Sequence, residues 1–360
     1  MSGLGLLGGW AADIALGDPR RFHPVAGFGR VALALERLSY APSRGRGAVF
    51  TAVLVGGTAG GAHAATRGAE RVGAGVAVRV LGSGTRRGGA VDGAAAQRVG
   101  RRVGRFLVLL VVTWGALGGR SLVREGGRIA ALLRDGDLDG ARGALPALAG
   151  RDPSALDEEG VSRAVVESLA ENTSDAVVGA LVWGAVGGPA GVAAYRAANT
   201  LDAMVGHRSP RYERFGYAAA KLDDAMGWPG ARLGALLTVA LAPVAGGSPR
   251  AALRVLRRDG AAHPSPNAGR MEAAFAGALD LRLGGPLRYG DRVEERPRLG
   301  DGRAPQPADA ARAARLSLAV GAAAALVCAA AARRAAPAGV RAGFGAYVAP
   351  KPARIQGGRA

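Results

Sequence analysis

Acids, amides and bases crowd both ends of one apolar run. Residues 176–195 are apolar apart from their last position. Before them stand Glu167, Glu171, Asn172, Thr173, Ser174 and Asp175, and after them Arg196, Asn199, Asp202, Arg208, Lys221, Asp223 and Asp224. Such groups are costly near a bilayer unless they pair or do chemistry. The chemistry open to them is that of hard oxygen ligands and cations. Adjacent Asp223 and Asp224 suit Mg²⁺, which takes carboxylate oxygen together with substrate phosphate. The competing reading is a helix-surface acidic pair balanced by Lys221. On a helix Glu167 and Glu171 share a face at i,i+4, with Asp175 following at i+8. Arg196, Asn199 and Asp202 share another at i,i+3,i+6.

Other chemistries are set aside by what the chain lacks. There is no GxxxxGK[ST] phosphate loop, no dinucleotide fingerprint after a strand, and no GxSxG elbow. The histidines are His23, His63, His207 and His263, without metal spacing, so neither zinc nor haem is expected. Cys328 lies in an apolar run and reads as a small buried hydrophobe.

The elements that must position these residues are membrane-grade. Nearly half of the 360 residues are hydrophobic, and the net charge is +19, almost all from arginine, since lysine occurs only at 221 and 351. Basic loops between apolar runs follow the positive-inside pattern. No nucleic-acid motif or separate basic domain is present, so nucleic acid is not an expected partner. Glycines 187 and 188 with Pro189 interrupt the central apolar run. A straight span would put the two polar clusters on opposite sides of a membrane. Paired glycines and a proline favour a broken, re-entrant helix that returns both clusters to one place. Irregular backbone at that depth must be buried in protein or line a cavity.

The flanking chain is read in the same terms. Residues 3–17 are apolar but short for a span, and carry Asp13, either a snorkelling end residue or an intramembrane polar group; a functional or pairing role is preferred. Asp18-Pro19 and His23-Pro24 force a constrained turn holding Asp18 and His23. The N-terminal stretch does not read as a cleaved signal peptide. Spans are expected at 48–66, 106–119, within 230–246 and at 313–332, about five in all with the central one. Residues 67–105 read as a variable Arg/Gly-rich loop, and 288–306 as a Pro-rich loop. Residues 248–259 form a basic amphipathic helix. Asn267 caps the helix that follows HPSPNAG, and 333–360 are a basic tail. Ser154 or Asp157 caps the helix leading into the central motif, and Asn172 or Ser174 starts the apolar one.

GDPRRFHPV, ESLAENTSD, YRAANTLDAMVGHRSPRYERFGYAAAKLDD and HPSPNAGRMEAAFAGAL, in that order, resemble the CobD/CbiB family of cobalamin biosynthesis proteins. The resemblance runs from residue 4 to about 317. It implies an all-α, polytopic integral protein of the cell (inner, cytoplasmic) membrane. Its helices would interleave with cytoplasmic helices and loops in a single domain, 1–360, whose motif-rich core is 154–285. The implied reaction joins adenosylcobyric acid, through its f propionate, to (R)-1-aminopropan-2-ol or its O-phosphate, with ATP as co-substrate and Mg²⁺. The implied partners are the corrinoid, the aminopropanol, the bilayer and other late cobalamin-pathway enzymes. For that chemistry the candidates are Asp223 and Asp224, with Asp175, for Mg²⁺, and Arg196, Arg208 and Lys221 for phosphate. Glu167 or Glu171 would be the base, and Asn172, Asn199 and Asn267 would bind corrin amides, with Asp202 beside them. Asp18, His23 and His263 would orient substrate. A transporter for a corrinoid or other anionic small molecule is the alternative, disfavoured by the lack of two symmetric halves.

Overall fold

The computed structural model describes residues 2–19, 23–83, 92–150, 152–207, 209–289 and 292–334. Arg208, most of the expected tail and residues 84–91 lie outside them. The described chain is almost wholly helical. The first helix, α1 (Ser2–Leu16), is followed by α2 (Pro24–Ser39), whose first turn is capped by His23 Nδ1 accepting from Val25 N at 3.2 Å. There follow α3 (Arg44–Ser83), α4 (Gly93–Ala116), α5 (Gly119–Arg134) and the short α6 (Leu138–Ala144).

The central motif is carried by α7 (Glu158–Thr173), a π turn (Ser174–Val178), α8 (Gly179–Leu201) and a second π turn (Asp202–Gly206). Asp157, not Ser154, caps α7, accepting from Gly160 N at 2.8 Å. Neither Asn172 nor Ser174 caps a new helix, because the chain stays helical through both. Beyond lie α9 (Tyr212–Phe215), α10 (Tyr217–Ala240), α11 (Pro249–Asp259), α12 (Ala268–Leu279), strands β1 (Leu283–Tyr289) and β2 (Arg292–Leu299), and α13 (Pro307–Arg334).

Among the described residues four helical stretches are long and apolar enough to cross a membrane, Arg44–Val80, Gly93–Arg134, Glu158–Gly206 and Pro307–Arg334, with Ser2–Leu16 shorter; the span expected within 230–246 is not among them. Two of them are not straight rods. Gly93–Arg134 breaks between α4 and α5 at Leu117 and Gly118. There Asp13 supplies the missing cap, its Oδ2 accepting from Gly119 N at 3.1 Å and Arg120 N at 3.3 Å. Asp13 is fully buried, so the pairing reading of this residue holds.

Glu158–Gly206 folds back on itself. Gly188 takes φ 60°, ψ −147°, and Pro189 follows without a donor. A Cβ built on Gly191 would lie 2.2 Å from the Trp183 carbonyl oxygen, and one on Gly179 would lie 2.2 Å from the Tyr195 ring. In a straight helix those pairs would be separated by about 12 Å and about 24 Å. The expected break and fold-back of this helix are therefore present, with its two arms in direct backbone contact.

Two sequence expectations are corrected. The described residues of 67–105 are not loop: they are helical up to residue 83 and again from 93. Ala69 meets Gly104 and Gly73 meets Gly100, an antiparallel register of small residues that lets the two backbones touch. Arginine is a good helix former, so the composition that suggested a loop describes a close-packed helix pair. Residues 288–306 are also not simply loop. β1 and β2 pair antiparallel, and the ladder is closed by fully buried Leu283 opposite fully buried Leu299.

The main core lies where α5, α7, α8, α12 and α13 meet, around Ile129, Leu169, Leu181, Phe275 and Leu316. A smaller cluster around Phe50 and Phe215 joins α2 and α3 to the chain after α8.

Candidate functional site

The hairpin delivers its polar residues to one place. From the outgoing arm come Glu171 and, inside the first π turn, Asp175. From the returning arm come Tyr195, Arg196 and Asn199, with Asp202 opening the second π turn. A π turn adds a residue to the helical repeat and re-aims the side chains around it, a device frequent at functional sites.

Asn199 is the hub. It accepts from Arg196 Nη1 at 3.2 Å and donates from Nδ2 to Asp223 Oδ1 of α10 at 3.3 Å. The charges bearing on Asp175 are those of Glu171, Asp223, Arg196 and Asp202. Around Asp175 the carboxylates of Glu171, Asp223 and Asp202 thus outnumber the one guanidinium, that of Arg196. On α10, which is not one of the four membrane-length stretches, burial pushes the Asp223 carboxyl up to about 7. The charges of Asp202, Asp224 and Glu171 add to the rise, and the Asn199 hydrogen bond opposes it.

The rest of the expected set divides. Asp224 Oδ2 pairs with Lys221 Nζ at 3.1 Å. Consecutive residues on a helix point about 100° apart, so Asp223 faces the hairpin and Asp224 faces its lysine. Among the described residues no three His, Cys, Asp or Glu side chains converge as a metal cage. Asn267 stands at the start of α12, but its side chain makes no capping bond there. It donates to Asp224 O at 2.8 Å and accepts from Arg232 Nη1 at 2.8 Å, while Ser265 Oγ takes up Ala268 N at 3.2 Å. The residue read as a cap is a tie between α10 and the HPSPNAG loop, and a serine two positions earlier does the capping.

Glu167 and His263 lie deeper. Glu167 is buried and accepts from Gly284 N at 2.8 Å, fastening β1 to α7. His263 is half-buried with its ring enclosed: its Nδ1 accepts from Ser265 N at 3.0 Å, and its Nε2 faces Arg296 and, at 3.9 Å, Glu272. Asn172 donates to Ser168 O at 3.0 Å. Asp18 and His23 approach each other to 3.8 Å, and Asp18 is within electrostatic reach of Arg196. Asp18 therefore borders the site, with His23 beside it.

Sequence reasoning missed Tyr195 and Arg232. Tyr195 is fully buried at the end of the apolar run, and its hydroxyl has no hydrogen-bond partner among the described residues. Its place beside Arg196 was the available signal. Arg232 stacks on Trp228 at 4.5 Å, an i,i+4 pairing that the sequence does contain.

Comparison with known proteins gives a consistent result. The family model described as CobD/Cbib protein matches residues 6–317. The chain is 49% identical over 324 residues to "Cobalamin biosynthesis protein CobD" of Mycobacterium tuberculosis (strain ATCC 25618 / H37Rv), covering 90% of this chain and 94% of that protein. A protein of the same name from Geobacter metallireducens is 40% identical over 306 residues, covering 83% and 87%. One from Rhodobacter capsulatus is 49% identical over 204 residues, covering 56% and 63%. No solved structure matches.

Proposed function

Because this chain belongs to the CobD/CbiB family of cobalamin biosynthesis proteins, we propose that it is the enzyme that closes an amide bond on a corrinoid. It joins the f propionate of adenosylcobyric acid to (R)-1-aminopropan-2-ol or its O-phosphate, as an acid–amine ligase of the cell membrane. The observation that carries this reading is the fold-back at Gly188, which sets Asp175, Arg196, Asn199 and Asp223 side by side.

A carboxylate is a poor acyl donor until one oxygen is made a leaving group. With ATP as co-substrate, the propionate oxygen takes the terminal phosphoryl group and ADP leaves. The amine nitrogen then bonds to the acyl carbon and phosphate departs. The ammonium must first give up a proton, and Glu171, half-buried at the cluster, is placed to accept it. Arg196 bears on the phosphoryl oxygens, and the Asn199 amide, which both donates and accepts, suits the corrin amide side chains. The residues present fit one Mg²⁺: Asp223 and Asp175 are neighbouring carboxylates with too little positive charge around them, and Mg²⁺ takes one or two carboxylates plus substrate phosphates. When bound, the ion supplies charge neutralisation at the phosphates. Asp224, paired to Lys221, would support that arrangement from behind. Glu167 and His263 would act by holding the HPSPNAG loop and β1 in place.

A membrane seat would keep a scarce intermediate close to other late-pathway enzymes by raising its effective concentration. The test uses membranes containing the protein, supplied with adenosylcobyric acid, aminopropanol phosphate, ATP and Mg²⁺. Mass spectrometry should find the amide product, lost on omitting ATP and with Asp223→Asn. Product without ATP would discard the acyl-phosphate route. Corrinoid uptake into sealed vesicles without amide formation would replace the enzyme reading by the transporter.

A further inference from the structure

Beside Arg196 lies a cavity of about 250 Å³, walled by α2, α3, α4 and the returning arm of the hairpin. Phe28, Ala62, Val112 and Ala193 make its lining apolar. The hydroxyls of Thr58 and Thr200 on the wall are spent within their own helices, on Leu54 O and Arg196 O, each at 2.7 Å. Among the described residues lining it, Arg196 is thus the one charged side chain. Its Nη1 serves Asn199 on the reaction side, while its Nε is buried without a hydrogen-bond partner among the described residues. Within electrostatic reach of the same guanidinium stand Asp175, Asp18 and Asp223, and Asp18 Oδ1 is likewise buried without a hydrogen-bond partner among the described residues.

We propose that this cavity seats the amine substrate: a short amine with one small apolar branch and an anionic or hydroxyl end. The proposal rests on the ligase reading above and adds the place of the second substrate. Three features select that class. Sites for drug-sized ligands run from about 300 to 1,000 Å³, so this cavity admits only a small molecule and excludes a corrin macrocycle. A lone guanidinium in an apolar wall matches one anionic oxygen group, which it binds through paired N–H donors. A methyl branch lies against Phe28 and Ala193, and the ammonium is directed to the carboxylates facing Arg196. The amine is then held next to the cluster that receives the propionate, one residue serving both substrates.

The test fills the cavity from two different helices, with Ala62→Leu on α3 and Ala193→Leu on α8. In the membrane assay, both variants should raise KM for aminopropanol phosphate by about tenfold, equal to about 1.4 kcal/mol of binding, with KM for adenosylcobyric acid unchanged. Ethanolamine phosphate, which lacks the methyl branch, should be affected less. A raised corrinoid KM, or an unchanged amine KM in both variants, would overturn the assignment. Equilibrium dialysis of radiolabelled aminopropanol phosphate separates this from failure of the ligase reading. If wild-type protein makes no amide yet binds the amine, and both variants lose that binding, the cavity assignment stands and the ligase reading falls. If wild-type protein does not bind it, the cavity assignment is wrong.

Discussion

Replacing Gly188 by alanine isolates the turn on which the whole site depends. At φ 60°, ψ −147° this residue sits in a region essentially restricted to glycine. The space around it is not the obstacle: a Cβ there would meet nothing closer than Arg105 Nη2 at 3.6 Å, an ordinary contact. The penalty for Gly188→Ala is therefore backbone strain alone, about 1–3 kcal/mol. That is a fall of roughly fivefold to 150-fold in the folded-to-unfolded ratio. Gly187, one position earlier, has ordinary helical φ and nothing within 4 Å of a built Cβ. Gly187→Ala should be neutral or slightly stabilising, since alanine is the better helix former. The two variants are compared by thermal unfolding in detergent, followed by tryptophan fluorescence. Trp183 is a direct reporter, its Nε1 donating to Met226 O at 2.8 Å across the hairpin's contact with α10. Equal melting temperatures for the two variants would refute the reasoning, because they would mean that Gly188 does not hold a left-handed turn.

Other predictions follow from single contacts. Tyr195→Phe removes a buried hydroxyl that has no partner, so stability should be unchanged or increased; a loss of more than about 1 kcal/mol in the same melt would show that the hydroxyl is hydrogen-bonded after all. Asn267→Ala leaves the Asp224 carbonyl and Arg232 without their amide partner and should cost about 1–3 kcal/mol, whereas an ordinary capping role would make Asn267→Ser nearly silent and the tie predicts it is not. Asp259 is held below the usual carboxylate range chiefly by its hydrogen bonds from Arg258, helped by Gly300 N. A lowered folded-state pKa means that the unfolded chain binds the proton first. Its contribution is thus complete above about pH 4 and is lost as pH falls below that. Asp259→Asn should lower stability at pH 7 and flatten the acid limb of the stability–pH curve, and an unaltered acid limb would contradict this assignment.

The parts of the site legible in the sequence were those fixed by local chemistry. Gly187-Gly188-Pro189 cannot continue a helix undisturbed, and polar clusters on both sides gave the fold-back a purpose. The i,i+3 spacing of Arg196 and Asn199 likewise survives as a direct hydrogen bond. What was not legible depends on contacts distant in sequence. Glu167 looks like an active-site partner of Glu171 on a helical wheel, but β1, more than a hundred residues later, supplies the Gly284 amide that it accepts from. Asn267 has a capping residue's type and position, yet α10 offers it better partners. The glycines at 73, 100 and 104 looked like loop composition, because small residues permit both turns and close helix contact, and only the partner helix decides between them.

The central claim is that residues 176–195 enter and leave by the same face. It is tested most directly by placing single cysteines at Asn172→Cys and Asp202→Cys, each in a Cys328→Ala background. Cys328 is buried and is the one native thiol. In sealed membrane vesicles of known orientation, a membrane-impermeant thiol reagent should reach both positions from the same side. Labelling of one from inside and the other from outside would make the segment a simple span, and the site assembled around Asn199 would not exist.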